Sequence, residues 1–241
     1  MSAKLRFLLM QIRVPDDPMR EQEIGCFARA LQCESEQITP WDVLESLPGE
    51  AKLAAHDMVL IGGSGDYSAT SDEAWIEPIL DEMRILHQQS KPTFASCWGF
   101  QAMARAMGGS VVHDLARGEL GTLRLTLSDA GHDDPVFSPL GVNFDAQMGH
   151  TDRVDRLPAD AVLLASTEKV ENQAYRFQGK PIYCTQFHPE LNRENLIGRL
   201  VQYPEYVDRI AGITFEQFRD TVHDTPETER LLRRFIEEVF G

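Results

Sequence analysis

The chain has 241 residues, enough for one large α/β domain with a sizeable core. Hydrophobic residues make up 42% and charged residues 25%, a globular composition that excludes both disorder and a disulfide-stapled miniprotein. Thirty-eight acidic against 23 basic residues give a net charge of −15, which argues against any broad nucleic-acid-binding or anionic-membrane surface.

In chain order, Phe7 to Ile12 is the first almost wholly apolar segment. It reads as a strand and not a secretory signal, because no small-residue cleavage site follows it. No apolar run approaches the ~18 residues of a membrane span, so a cytoplasmic protein with no membrane or nucleic-acid partner is expected. Met19 to Leu31 carries a helical pattern, Met58 to Ile61 is a second apolar strand, Glu73 to Gln88 a second helix and Pro92 to Ser96 a third strand. Short continuous apolar runs suit strands buried on both faces, and their alternation with helices is the βαβ pattern of an open, mostly parallel sheet with helices on both faces.

The middle third mixes polar and apolar residues. Gly121 to Leu127 and Val142 to Met148, set among turn-formers such as Pro135 and Pro139, predict antiparallel strands and loops lying over one part of the sheet. Ala161 to Ala165 is a further buried strand. Tyr175 to Phe177 and Ile182 to Phe187, joined by Gln178-Gly179-Lys180-Pro181, predict a hairpin that returns to the core. Beyond Leu191 the chain turns helical. Thr225-Pro226 predicts a cap and first turn, and Leu231, Phe235, Ile236 and Val239 form an apolar stripe expected to pack on the sheet edge, with a partner-docking helix as the alternative. No linker or repeat divides the chain, so residues 1–241 are expected to form one domain, with a core over about 5–190 and a helical C-terminal extension over 192–241.

The cysteines Cys26, Cys33, Cys97 and Cys184 form no C-x-x-C pair, so spacing indicates neither a zinc site nor a disulfide framework. Cys97 is distinctive. An apolar strand ends there, a helix starts at once, and Gly108-Gly109 stop that helix after about three turns. Such an elbow, with small residues at Ala95 and Gly99, lifts the sulfur toward the positive end of a helix, where a thiolate is favoured. By itself the pattern fits a buried thiol as well as a nucleophile. Gln186-Phe187-His188-Pro189-Glu190 adds the second element: in extended chain His188 and Glu190 would face one way, so the carboxylate would orient the imidazole that serves the thiol. Val59 to Asp66 is the third, a buried strand entering Gly62-Gly63-Ser64-Gly65. It lacks the Lys-Ser/Thr of a phosphate loop, and its free N–H groups suit an oxyanion.

These three blocks, in this order from about Leu5 to Glu190, resemble the class I glutamine amidotransferase family: a G-G-x-G loop, a C-x-G-x-Q elbow and an H-P-E ending. The resemblance implies a flavodoxin-like fold and hydrolysis of a γ-glutamyl amide, glutamine to glutamate plus ammonia, through a cysteine thioester. It implies Cys97 as nucleophile, His188 as general acid and base, Glu190 as its orienter, and the N–H groups of Gly63 and Trp98 as oxyanion hole. Gly65, Gln101 and the segment Gly149-His150-Thr151-Asp152 correspond to positions around the bound substrate. Two departures stand out: Ala95-Ser96 where the family carries Gly-Ile, and Trp98 as a bulkier residue after the nucleophile. No cofactor and no metal are implied. A synthetase taking the ammonia would be a separate polypeptide, because the ~50 residues after Glu190 are too few for an ATP-using domain. The alternative is a stand-alone γ-glutamyl peptidase or hydrolase. Outside enzymes, a binding protein retaining the fold and a thiol redox sensor remain open.

Other residues carry less. Cys184 is expected in the core. His132 with Asp133 and Asp134, and His113 with Asp114, are adjacent residues that do not converge on one ion. His150 is a rival base without an adjacent orienting carboxylate.

Overall fold

In the computed structural model, which describes residues 4–241, the chain runs through β1 (Phe7–Ile12), α1 (Met19–Leu31), β2 (Ile38–Asp42), α2 (Gly49–Ala54), β3 (Met58–Ser64), α3 (Ile76–Gln88), β4 (Thr93–Ser96) and α4 (Trp98–Ala106). It continues through β5 (Ser110–His113), β6 (Glu119–Leu127), α5 (Asp129–Asp133), β7 (Asn143–His150), β8 (Asp152–Arg156), β9 (Ala161–Ser166), β10 (Ala174–Phe177) and β11 (Ile182–Thr185). The C-terminal helices are α6 (Arg193–Gln202), a π-helical turn at Val207–Ala211, α7 (Phe215–Thr221), α8 (Pro226–Glu229) and α9 (Leu231–Phe240).

Nine strands form one sheet in the order β2-β1-β3-β4-β11-β10-β9-β6-β7. The first five run parallel. From β11 onward the neighbours are antiparallel. The alternation of side chains along a strand sorts the core into two layers. Phe7 and Leu9 of β1, Met58 and Leu60 of β3 and Phe94 of β4 pack with α1 and α9. Leu8, Met10, Val59, Ile61 and Ala95 pack with α3 and α4 on the opposite face. Strands so buried carry apolar residues at most positions, with Gln11, Thr93 and Ser96 as buried polar exceptions, which is why they read as nearly continuous runs.

Four sequence expectations need correction. β6 and β7 do not lie over the sheet; they extend its edge, with Thr126 paired to Ser166 and Leu127 to Ala165 of β9. The last strand stops at Thr185, so His188 and Glu190 sit in a turn closed by the Leu191 N–H donating to the His188 carbonyl, not on one face of extended chain. Thr225 gives no side-chain cap, although Pro226 does open a short helix. The strand β3 runs through Gly62-Gly63 to Ser64, so the glycines lie inside its C-terminal end and not in a loop beyond it. The parallel strands β3 and β4, with the turn after β11, bring Gly63, Cys97 and His188 to one end of the sheet, where an open α/β fold places its ligands.

Candidate active site

Cys97 is the single residue between β4 and α4, and it bears the cost of the sharp turn: φ is +53° and ψ −103°, a region L side chains rarely occupy. Its N–H donates to the Thr185 carbonyl at 2.8 Å, tying the elbow to β11. The adjacent helix packs very close to β3. A Cβ at Gly99 would meet Ile61 Cγ2 at 2.7 Å, so only glycine lets α4 start there. The first N–H groups of a helix have no intrahelical partner, which leaves the Trp98 N–H free beside the sulfur.

Gly63 is where the site's two arms meet. A Cβ there would lie 3.1 Å from His188 Cε1 and 3.9 Å from Cys97 Sγ. The absence of a side chain is what allows thiol and imidazole to approach. His188 Nδ1 donates to Glu190 Oε1 at 2.6 Å, with both groups buried. Burial opposes the charged imidazole, but the Glu190 charge and the contact with Cys97 outweigh it and push His188 up to about 9. Burial likewise works against the Glu190 carboxylate, and the charge and hydrogen bond of His188 followed by the charge of Arg199 hold it below its usual range.

Arg199 belongs to α6 and is absent from the residues that the sequence motifs pick out. Its Nη1 lies 3.7 Å from Glu190 Oε1, while its Nε donates to Gln22 Oε1 on α1 at 3.0 Å. A signal for it does exist: Arg199 shares the buried face of α6 with Leu196 and Leu200, and a cation on an apolar stripe needs a buried anion. Tyr203 and Tyr206 follow it. The Tyr206 hydroxyl donates to the Gly65 carbonyl at 3.2 Å, and the Tyr203 hydroxyl donates to Asp17 Oδ2 at 2.8 Å. Gly65 is thus gripped from the C-terminal extension, and a Cβ on it would strike the Tyr203 hydroxyl at 2.9 Å.

Two cavities open on Cys97. The larger, about 300 Å³, is lined by Gly65, Ser68, Trp98, Gln101, the Gly149–Asp152 segment and Tyr206, so it gathers every expected substrate-contacting residue. Gly149 and His150 end β7, Thr151 links the strands and Asp152 opens β8, so this segment is strand end and not free loop. The Gly149 carbonyl lies 3.7 Å from Cys97 Sγ. Gln101 Nε2 donates to the Asp152 carbonyl at 2.9 Å and to Gln186 Oε1 at 3.1 Å. The smaller cavity, about 70 Å³, adjoins it, sharing Cys97, Gly65, Gly149 and Tyr206, and includes His188 and Gly63.

The rival base is disposed of by its partners. His150 Nδ1 faces the Asp152 carbonyl at 3.1 Å and Nε2 faces Glu119 Oε2 at 3.0 Å, so neither ring nitrogen is open to a thiol proton. Its carboxylate comes from β6, 31 residues away, where no local spacing would have found it. Cys184 is fully buried, as expected. Among the described residues no group of three or more His, Cys, Asp and Glu side chains is placed to hold a metal ion, and no helix is long and apolar enough to cross a membrane. His113 instead binds Asp152 Oδ1 at 2.7 Å, and Asp134 accepts the N–H groups of Val136 and Phe137.

A GMP synthase (glutamine-hydrolysing) from Flavobacterium psychrophilum is 31% identical over 177 residues, covering 70% of this chain but only 32% of that protein. The chain therefore spans about a third of the length of that relative. Gamma-glutamyl peptidase 3 from Arabidopsis thaliana is 27% identical over 236 residues, with 93% of this chain and 90% of that protein covered. A glutamine amidotransferase structure from Thermotoga maritima superposes with a TM-score of 0.77 at 19% identity, covering 98% of both chains, and shares the fold. The profile of the class-I glutamine amidotransferases matches residues 26–196. The chain belongs to the class I glutamine amidotransferase family.

Proposed function

We propose that the protein hydrolyses a γ-glutamyl amide through a thioester on Cys97. The observation that carries this reading is the meeting of a strained elbow cysteine with a buried, paired imidazole across Gly63. His188 takes the thiol proton, and the thiolate attacks the amide carbon. The N–H groups of Gly63 and Trp98 receive the developing oxyanion. His188 then returns its proton to the amide nitrogen, the C–N bond breaks, and the amine departs with a glutamyl thioester left behind. Water, deprotonated by His188, attacks the thioester; glutamate leaves and the thiol is restored. Glu190 holds the ring in the tautomer this cycle needs and stabilises its charged form. The Gly149–Asp152 segment and Gln101 hold the glutamyl group in the larger cavity.

A second reading has the ammonia passed to a synthetase on a separate polypeptide, and the relationship to about a third of a GMP synthase favours it. The near full-length match to a gamma-glutamyl peptidase favours independent action. Glutamate release from glutamine and from γ-glutamyl dipeptides, with Cys97→Ala as control, separates them. Turnover by the chain alone is expected, with an acyl adduct on Cys97 seen by mass spectrometry of acid-quenched enzyme. Undiminished turnover in Cys97→Ala would overturn the mechanism. Activity that appears only on adding a synthetase would establish the second reading.

A further inference from the structure

The two cavities that meet at Cys97 differ in character, and the difference bears on the substrate. Its bearing rests on the reading of Cys97 and His188 as nucleophile and acid. The acyl chain and the nitrogen of an amide leave the carbonyl carbon in different directions, and the nitrogen must lie within reach of His188 to be protonated. His188 lines only the smaller cavity. Four leucines, Leu120, Leu191, Leu196 and Leu200, line that cavity, along with Tyr203 and Tyr206. Ammonia has no use for the leucines: they offer it no hydrogen bond, yet they would draw alkyl carbon out of water. Nor does ammonia need the space. A single water requires about 10–15 Å³ of this kind of volume, against about 70 Å³ in the cavity. The charges of the two arginines that line it are already countered by buried carboxylates, Arg13 by Asp17 at 2.9 Å and Glu23 at 3.5 Å and Arg199 by Glu190 at 3.7 Å, which disfavours a charged leaving group although Arg199 Nη2 keeps an unused donor.

We infer that this leucine-lined cavity is the subsite for the leaving amine, and that the preferred substrates are γ-glutamyl amides of primary amines bearing a short, uncharged alkyl group. A chain of roughly three to five carbons fills it on the same volume scale. Leu196 and Leu200 belong to α6, so the specificity is built by the C-terminal extension.

The test compares kcat/KM for glutamine, γ-glutamylisobutylamide and γ-glutamylglycine, with Cys97→Ala as the blank. Each buried methylene is expected to add about fourfold, so the isobutylamide should exceed both glutamine and the glycine conjugate by about tenfold or more. Leu200→Phe fills the cavity and should lower the isobutylamide-to-glutamine ratio at least about tenfold. Leu196→Ala, a second variant should the first fail to fold, widens it and should shift the preference to longer alkyl amines. Cys97-dependent turnover that is highest on glutamine, or on the glycine conjugate, would overturn the subsite while leaving the amidase reading intact. So would a ratio unmoved in both variants. No Cys97-dependent release from any of the three compounds would overturn the amidase reading and the subsite together.

Discussion

Glu190 is a carboxylate with no exposure at all, and it stays ionised because two cations face it, His188 and Arg199. Removing the guanidinium leaves the imidazole alone to hold the charge. Arg199→Met is expected to lower kcat on the order of tenfold to hundredfold, part of the general acid–base contribution, with a smaller effect on KM. The acid limb of its pH–rate profile should move to higher pH, because Glu190 loses a group that depresses it. Arg199→Lys should recover part of the rate, since it returns the charge without the planar fork. A purely structural role would scale the rate equally at every pH. The blocks around Cys97, His188 and Glu190 stand out in the sequence because elbow and turn chemistry demand particular neighbours within a few positions. Arg199, Tyr206 and Glu119 do not, because what defines them is a partner far away in the chain or on another element.

The elements are legible in proportion to how deeply they are buried. β1, β3 and β4 are covered on both faces and announce themselves as apolar runs. β2 has no such signature because it is an edge strand carrying Thr39, Pro40 and Asp42, residues an edge tolerates and a central strand does not. β6 and β7 are readable as strands but not placeable, since their position depends on a two-residue pairing with β9 that no local pattern encodes. The terminal helix α9 shows the opposite case. Its stripe of Leu231, Leu232, Phe235 and Ile236 is buried, and the Phe235 ring meets Phe94 and Tyr183 edge-on at 5.7 and 5.4 Å. Phe235→Ala should therefore cost about 3–5 kcal/mol, read as a lower denaturant midpoint. A cost under about 1 kcal/mol would show that α9 contributes little to the core.

At the scale of the molecule, the buried pair at the site ties folding to pH. His188 is raised from 6.5 to about 9, so its contribution to stability is complete below about pH 6.5 and lost as pH rises through about 9. Glu190 is depressed, so its contribution is present above about pH 4.5 and lost as pH falls further. Denaturant unfolding should accordingly weaken between about pH 6.5 and 9.5, by up to about 3 kcal/mol from this pair. Glu190→Gln should remove most of that slope. An unchanged slope in the variant would place its origin elsewhere. The elbow carries a cost of a different kind. At φ +53° and ψ −103°, position 97 is a glycine position occupied by a cysteine. Alanine there keeps the strain, whereas glycine relieves about 1 kcal/mol or more of it. A library selected for thermostability alone, blind to turnover, would thus enrich Cys97→Gly, discarding the proposed nucleophile first; on that proposal only continued selection for the reaction keeps sulfur there.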